Sequence, residues 1–271
     1  MALLNLLLIV FQGCLAVYLL TLAWFMLGLF RREPRRSPRQ PPVSVIVAVR
    51  GGHPNFHLLL EQLQAQDYPA DQLECIIVDD GLDASSRALV DDVAARRDNF
   101  QVVASSRGDT QLVDKKRALD GGVRASAGEL LLFTDADCQV GPGWVSGLVS
   151  YFLNGVEYVV GWSQVAASAS EGWAAEITAA RRPLTLFEQI DFALLMLATR
   201  GATLMGTPWA CSGQNQAYRR TLYDAVGGFR NLAGQVQGDD SLFLQLARRK
   251  ARARVAFATD HDTRVVTAPA P

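Results

Sequence analysis

Cysteine is sparse in this 271-residue chain: Cys14, Cys75, Cys138 and Cys211 lie far apart and include no Cys-x-x-Cys pair. That spacing, in apolar surroundings, argues against both a disulfide framework and a zinc site, and it suits a reducing compartment. Only three histidines are present, and no Ser, His and Asp arrangement competes for nucleophilic catalysis. No internal repeat or low-complexity tract interrupts the sequence. Basic charge is not in excess either, with 26 Lys+Arg against 27 Asp+Glu. From Met1 to Phe30 no side chain is charged at all.

What that opening stretch does hold is almost entirely apolar. About 20 such residues are enough for a helix to cross a ~30 Å hydrocarbon core. A cleaved signal peptide is the competing reading. It would need a basic start, a shorter apolar region and a small-residue cleavage site before the charges. Instead, Arg31, Arg32, Arg35, Arg36 and Arg39 follow directly, opposed only by Glu33. Basic residues stay on the cytoplasmic side, so the remainder of the chain is expected on the cytoplasmic side of the cell membrane, with the Arg run able to touch anionic headgroups. The expected organisation is a transmembrane helix over residues 1–30, a basic juxtamembrane linker over 31–41 and a folded domain over 42–271. Beyond residue 40 the balance is 21 basic to 26 acidic groups. A nucleic-acid partner is thereby excluded, since such a domain lacks the basic surface that phosphate binding requires.

From residue 43 the pattern becomes regular. Residues 43–49 (VSVIVAV), 73–78 (LECIIV), 100–104 and 129–134 (ELLLFT) are apolar runs rich in β-branched residues. Helical patterns lie between them at 56–66, at 84–97 behind a capping Asp83, and at 111–126. Strands apolar on both faces, alternating with amphipathic helices, predict an α/β fold: a mostly parallel sheet with helices on both faces. In such sheets, ligands sit outside the carboxyl ends of the strands.

Carboxylates gather at two of those ends. Val78-Asp79-Asp80-Gly81 closes the second run and Thr134-Asp135-Ala136-Asp137-Cys138 the fourth. One Asp in such a place is commonly only a helix N-cap. Two acidic groups at one edge of one sheet, from runs that otherwise exclude charge, imply a shared task. Asp135 and Asp137, two positions apart, suit a hard divalent cation, Mg²⁺ or Mn²⁺, shared with substrate phosphates. A diphosphate-linked substrate follows.

At this point the sequence resembles the family 2 inverting glycosyltransferases of the GT-A (nucleotide-diphospho-sugar transferase) fold. The resemblance rests on ordered blocks over about residues 42–269. They are VSVIVAV with Ala48, Gln66-Asp67-Tyr68-Pro69, IIVDDG, Lys115 or Lys116 leading into Ala118-Leu119-Asp120, and LLFTDAD. Downstream come Ser212-Gly213-Gln214-Asn215-Gln216, Val226-Gly227-Gly228-Phe229 and Gly238-Asp239-Asp240. The resemblance implies that Ala48, Asp79, Asp80, Lys115, Lys116 and Asp135 bind a nucleotide-sugar donor, usually a UDP-sugar. It makes Asp137 a metal ligand with Asp135, and Asp240 the general base. Ser212, Gly213, Gln214, Asn215 and Asp239 would form the acceptor region. A lipid or glycan hydroxyl at the membrane would be the acceptor. Two positions depart from the commoner family pattern: Gly-Asp-Asp replaces Glu-Asp, and Asp120 replaces Asn.

The remaining features have plainer readings. Asp91 and Asp92, followed by Arg96 and Arg97, fit a solvated helix face. Asp260-His261-Asp262 fits a polar turn after a strand at 254–258, His53 and His57 fit core or surface roles, and Cys138 is an apolar neighbour of the acidic pair. Trp162, Trp173 and Trp209 suit buried packing or a sugar or lipid groove. Residues 183–206 are helical in pattern, but Glu188, Asp191 and Arg200 make a second span costly. This segment either covers the sheet or lies in the membrane interface. No Gln-x-x-Arg-Trp block follows residue 265, so an interrupted C-terminal end is expected and processive polymerisation is not supported. A nucleotidyltransferase, for which Arg50-Gly51-Gly52 is a faint phosphate loop, and a non-catalytic membrane scaffold stay open as alternatives.

Overall fold

The computed structural model describes residues 2–31, 36–168, 173, 182–236 and 238–269. Arg32, Glu33 and Arg35 of the basic collar, and the last two residues, fall outside them. Helix α1 (Ala2–Leu29) is continuous over 28 residues, and Gly28 is its one buried position. It is long and apolar enough to cross a membrane.

The first half of the domain alternates as the apolar runs require: β1 (Val43–Gly51), α2 (Phe56–Gln64), β2 (Leu73–Leu82), α3 (Ala84–Arg96), β3 (Phe100–Ala104), α4 (Asp114–Ala125) and β4 (Leu130–Phe133). Strand alternation sorts side chains into two cores. Val45, Val47, Cys75, Ile77, Leu130 and Leu132 enter one core. Ile46, Ile76, Val78, Leu131 and Phe133 enter the other, on the opposite face of the sheet. Burial on both faces is what a parallel strand needs and why these runs carry almost no charge. Asp83 caps α3 by accepting from the Ser86 amide at 2.7 Å. The Asp91 and Asp92 carboxylates pair with Arg87 and Arg96 one turn away, on a solvated face as expected.

The second half contributes β5 (Cys138–Val140), α5 (Trp144–Ser150), β6 (Val156–Gly161), β7 (Ser163–Val165), α6 (Pro183–Leu204), β8 (Gln216–Arg219), α7 (Arg220–Val226), α8 (Ser241–Ala251), β9 (Arg254–Ala258) and β10 (Val265–Thr267). The main sheet has the order β3-β2-β1-β4-β8-β6-β9. Its pairings are parallel except at β8, which runs against both β4 and β6. That reversal positions the site: Phe133, the last residue of β4, pairs with Gln216, the first of β8. Residues 212–215 therefore arrive at the edge where β4 releases its acidic loop. A small sheet of β5, β10 and β7 closes the same region, with Thr267 opposite Cys138.

Two helices fix the geometry further. In α4, a Cβ added to Gly122 would come within 2.5 Å of Ile46 Cγ2 and 2.9 Å of Val78 Cγ2. The glycine lets α4 lie flat on β1 and β2, which carries Lys115 to the strand ends. Helix α6 packs on β7 and β9 and crosses α1. It also leaves Leu184, Phe187, Ile190, Leu194 and Leu197 exposed, so it covers the sheet on one face only.

Candidate active site

A cavity of about 400 Å³ opens at the carboxyl ends of β1, β2 and β4. It is lined by Ala48, Val49, Arg50, Gly52, His53, Asp80, Asp114, Lys115, Asp135, Ala136 and Asp137. Each element contributes at its end because the parallel ladder aligns those ends. Asp80 accepts from Arg50 Nε at 2.9 Å. Arg50 also reaches Asp114 Oδ1 at 3.3 Å. Asp114 begins α4 with a positive φ of 50°, a sparsely populated conformation for a non-glycine residue. The guanidinium of Arg50 thus spans the mouth of the cavity between two carboxylates.

Deeper in, the Lys115 ammonium lies 2.6 Å from Asp135 Oδ1 and 3.3 Å from Asp239 Oδ2. Burial works against the charge on Lys115, but the two carboxylates outweigh it and hold its pKa above the ordinary lysine value. Burial pushes the Asp135 carboxyl up, with Lys115 opposing. Asp137 accepts from Thr267 Oγ1 at 3.3 Å. Among the described residues no group of three or more His, Cys, Asp or Glu could by itself hold a metal ion. That donor set fits Mg²⁺ or Mn²⁺, which use one or two carboxylates and complete their shell with substrate phosphates and water. It does not fit a caged structural ion. An ammonium already sits where Asp135 and Asp239 converge, so the spot favours positive charge. Cys138 is no rival nucleophile, because burial first, and then Asp137 and Asp135, keep its thiol protonated.

The start of α8 lies beside Lys115, although neither Asp239 nor Asp240 is among the residues that line the cavity. Asp240 caps that helix through the Ser241 amide. Its pKa is raised, chiefly by burial and further by Asp239. Gly213 sits against both Lys115 and the start of α8: a Cβ there would lie 3.3 Å from Asp239 Oδ2, 3.5 Å from Lys115 Nζ and 3.7 Å from Asp240 Cβ. The segment before β8 is tied to α8 through Ser241, whose hydroxyl donates to Cys211 O and accepts from Cys211 N, both at 3.1 Å. Gln216 Nε2 donates to Asp239 O at 3.1 Å, fixing the Gly-Asp-Asp turn. Ser212 Oγ accepts from the Gln214 amide at 3.3 Å, and Gln214 Oε1 is buried without a hydrogen-bond partner.

Not every residue singled out in the sequence reaches the cavity. Asp79 does not border it: Oδ1 accepts from the Gly81 and Leu82 amides, both at 2.9 Å, and Oδ2 pairs with Arg87 at 2.7 Å. The carboxylate stabilises the turn that ends β2, and those amides lower its pKa. Lys116 turns the other way from Lys115. Its ammonium is buried against the carbonyls of Gln235 and Val236, because consecutive helical residues point about 100° apart. Asn215 is fully buried. It donates to Trp162 O and Thr263 O at 2.8 Å and accepts from Trp144 Nε1 at 3.1 Å. Asp120 is likewise internal, accepting from Tyr223 Oη and Arg124 Nε. Conversely, Arg50, His53 and Asp114 line the cavity although no local pattern assigns them a donor-binding role. The faint Arg50-Gly51-Gly52 phosphate-loop pattern is the available signal for Arg50.

This sheet order, with an acidic cavity at the strand ends, fits the expected GT-A fold. The model of glycosyl transferase family 2 matches residues 44–227, and the chain belongs to that family. In structure it is similar to a mannosyltransferase from Pyrobaculum calidifontis solved in complex with GDP-Man and Mn²⁺. The TM-score is 0.65 at 22% identity, over 94% of this chain and 64% of that one. S. aureus TarS also matches, at a TM-score of 0.56 and 16% identity, over 85% of this chain and 37% of that one. Among curated proteins, a beta-monoglucosyldiacylglycerol synthase of Trichormus variabilis is 24% identical over 208 residues, 75% of this chain and 42% of its own length. Glycosyltransferase AglE of Haloferax volcanii is 26% identical over 122 residues, 45% of this chain and 39% of its own length. The chain thus spans about two-fifths of the length of these curated relatives.

Proposed function

We propose that the protein transfers a sugar from a nucleotide-diphospho-sugar, a UDP-sugar in the first instance, to a hydroxyl of a lipid or glycan acceptor at the cytoplasmic membrane face. Supporting this is the convergence of Asp80, Asp135, Asp137 and Lys115 on one cavity, with Asp239 paired to Lys115 and Asp240 next to it beside Gly213. Asp80 and the Arg50 that holds it face the nucleoside end. Asp137, with Asp135, would hold Mg²⁺ or Mn²⁺, which when bound supplies positive charge against the leaving diphosphate. Lys115 adds a second positive charge at the same place. Asp240 takes the acceptor proton as the acceptor oxygen bonds to the anomeric carbon and the bond to the diphosphate breaks. A single displacement from the face opposite the leaving group inverts the anomeric configuration.

Its raised pKa makes Asp240 a stronger base than an exposed carboxylate, which suits proton abstraction near neutral pH. A lipid acceptor agrees with the apolar α1 and with the name of the beta-monoglucosyldiacylglycerol synthase relative. The arginines at residues 31–39 support the cytoplasmic side. The test gives membranes carrying the full chain a panel of labelled UDP- and GDP-sugars with Mn²⁺, then reads lipids and glycans by mass spectrometry. One sugar added per acceptor, with the anomer inverted and the product absent in Asp240→Asn, is expected. Absence of any glycosylated product across the panel would refute the proposal.

A further inference from the structure

We infer that α6 is an interfacial helix: its exposed apolar stripe lies in the headgroup layer of the same bilayer that α1 crosses, and it holds the acceptor side of the site against the lipid surface. The inference rests on reading α1 as a membrane span.

The stripe is long and continuous. Phe187, Ile190, Leu194 and Leu197 are 65%, 52%, 60% and 37% exposed. They lie 14, 11, 7 and 4 residues before Gly201, spacings that place them on the face of α6 that Gly201 occupies. That face is the one that meets α1. A Cβ on Gly201 would come within 2.3 Å of Phe25 O, and one on Gly28 within 2.1 Å of Gly201 O, so the two backbones touch. Trp24 Nε1 also donates to Thr207 Oγ1 at 3.4 Å. The apolar stripe is therefore the continuation, along α6, of its contact with the anchor.

Depth follows from length. About 20 helical residues suffice to cross the hydrocarbon core, and α1 has 28 residues. The last turns of α1, where Gly28 meets α6, consequently reach the headgroup layer. A helix attached there, with one apolar face outward and the other packed on β7 and β9, has the geometry of an interfacial helix. Charge agrees with an anionic surface. Arg31 follows the crossing, and Arg248, Arg249 and Arg252 line a cavity with Gly206 just beyond the end of α6. The exposed Asp191 lies one turn from Phe187, Leu194 and Leu195 and interrupts the apolar face, which limits its depth to the hydrated headgroup level where a carboxylate can stay in water. The chain then runs from α6 through the exposed Trp209 to Gly213 beside Asp240. A docked α6 thus sets the height of the general base above the membrane.

The test uses the full chain with Cys14→Ser, the other three cysteines being buried. Single cysteines replace Phe187 or Leu194, with Leu20 in α1 and the exposed Leu89 of α3 as references. Each carries an environment-sensitive fluorophore in nanodiscs of phosphatidylcholine and phosphatidylglycerol, with a nitroxide high on the lipid acyl chain. Expected is loss of fluorescence at 187 and 194 comparable to that at 20, with 89 unchanged. Quenching at 20 but not at 187 and 194 would overturn the inference and leave the anchor intact, as would disulfide capture of 187 by a second copy in place of quenching. No quenching at 20 would remove the anchor reading and the inference with it. None of these readings depends on turnover, so they are separable from failure of the proposed enzyme activity.

Discussion

Replacing Lys115 by Met keeps the aliphatic stem but removes the ammonium that bridges Asp135 and Asp239. The Lys115, Asp135 and Asp239 side chains are 38%, 28% and 13% exposed, so the cluster is neither a surface pair nor a buried one. Exposed pairs contribute about 0–1 kcal/mol, and stranding a buried charge costs about 3–5 kcal/mol. A cost of about 1–2 kcal/mol lies between them, and for a domain of this size it lowers the unfolding midpoint by roughly 2–8 °C. The deficit then shrinks with metal. Mn²⁺ can neutralise the carboxylates that Lys115 vacates, so the variant should gain more stability from Mn²⁺ than the wild type does. Thermal unfolding followed by circular dichroism, in detergent with and without Mn²⁺, reads both effects. An unchanged midpoint together with an unchanged metal response would refute the assignment of Lys115 as the resident counter-ion.

Asp240→Asn retains the helix cap but not the base. Turnover should fall by about 10²–10⁴-fold with donor affinity kept, and full activity would exclude Asp240 as the base. Because burial raises the pKa of Asp240 in the folded chain, its ionised form costs folding free energy at neutral pH. The Asn variant should therefore be no less stable than wild type, and the wild-type rate should fall as pH drops through a value above the ordinary carboxylate range. Lys116→Met should loosen the turn that carries Asp239 and Asp240. An approximately ten- to hundredfold loss of kcat with unchanged donor Kd is expected, and a weakened Kd instead would return Lys116 to the donor site. Asn215→Ala removes three buried hydrogen bonds and orphans Thr263 O and Trp144 Nε1, Trp162 O keeping the Val265 amide, and should cost about 2 kcal/mol or more in denaturant unfolding. A fully stable variant with altered acceptor choice would contradict that placement.

The first half of the sheet is legible in the sequence because its strands are buried on both faces. A parallel strand accounts for VSVIVAV and ELLLF between amphipathic helices, and β3 and β9 occur at the residues expected. Strands β6 and β8 are not legible in the same way: VEYVVG is interrupted by Glu157, and QAYR is four residues that read as motif before they read as structure. The Asp135-x-Asp137 pair and Lys115 reach the cavity because strand ends and the first turn of α4 place them there. Asp79 and Lys116 do not, since adjacent residues on a strand or helix point to different places, and sequence spacing alone does not say which of two neighbours faces inward. Arg50 and Asp114 escape a local reading for a related reason. Their task depends on long-range pairings, of Arg50 with Asp80 and of Arg50 with Asp114, that no local pattern contains.

Whether the acidic cavity binds a nucleoside diphosphate with metal is the most direct question to put to the protein. Titration calorimetry of the full chain in detergent with UDP and with GDP, each with and without Mn²⁺, measures this. Mn²⁺-dependent binding of one of the two, lost in Asp137→Ala and kept in Asp240→Asn, is the result predicted. No binding of either nucleotide with Mn²⁺, or binding indifferent to Asp137→Ala, would contradict it.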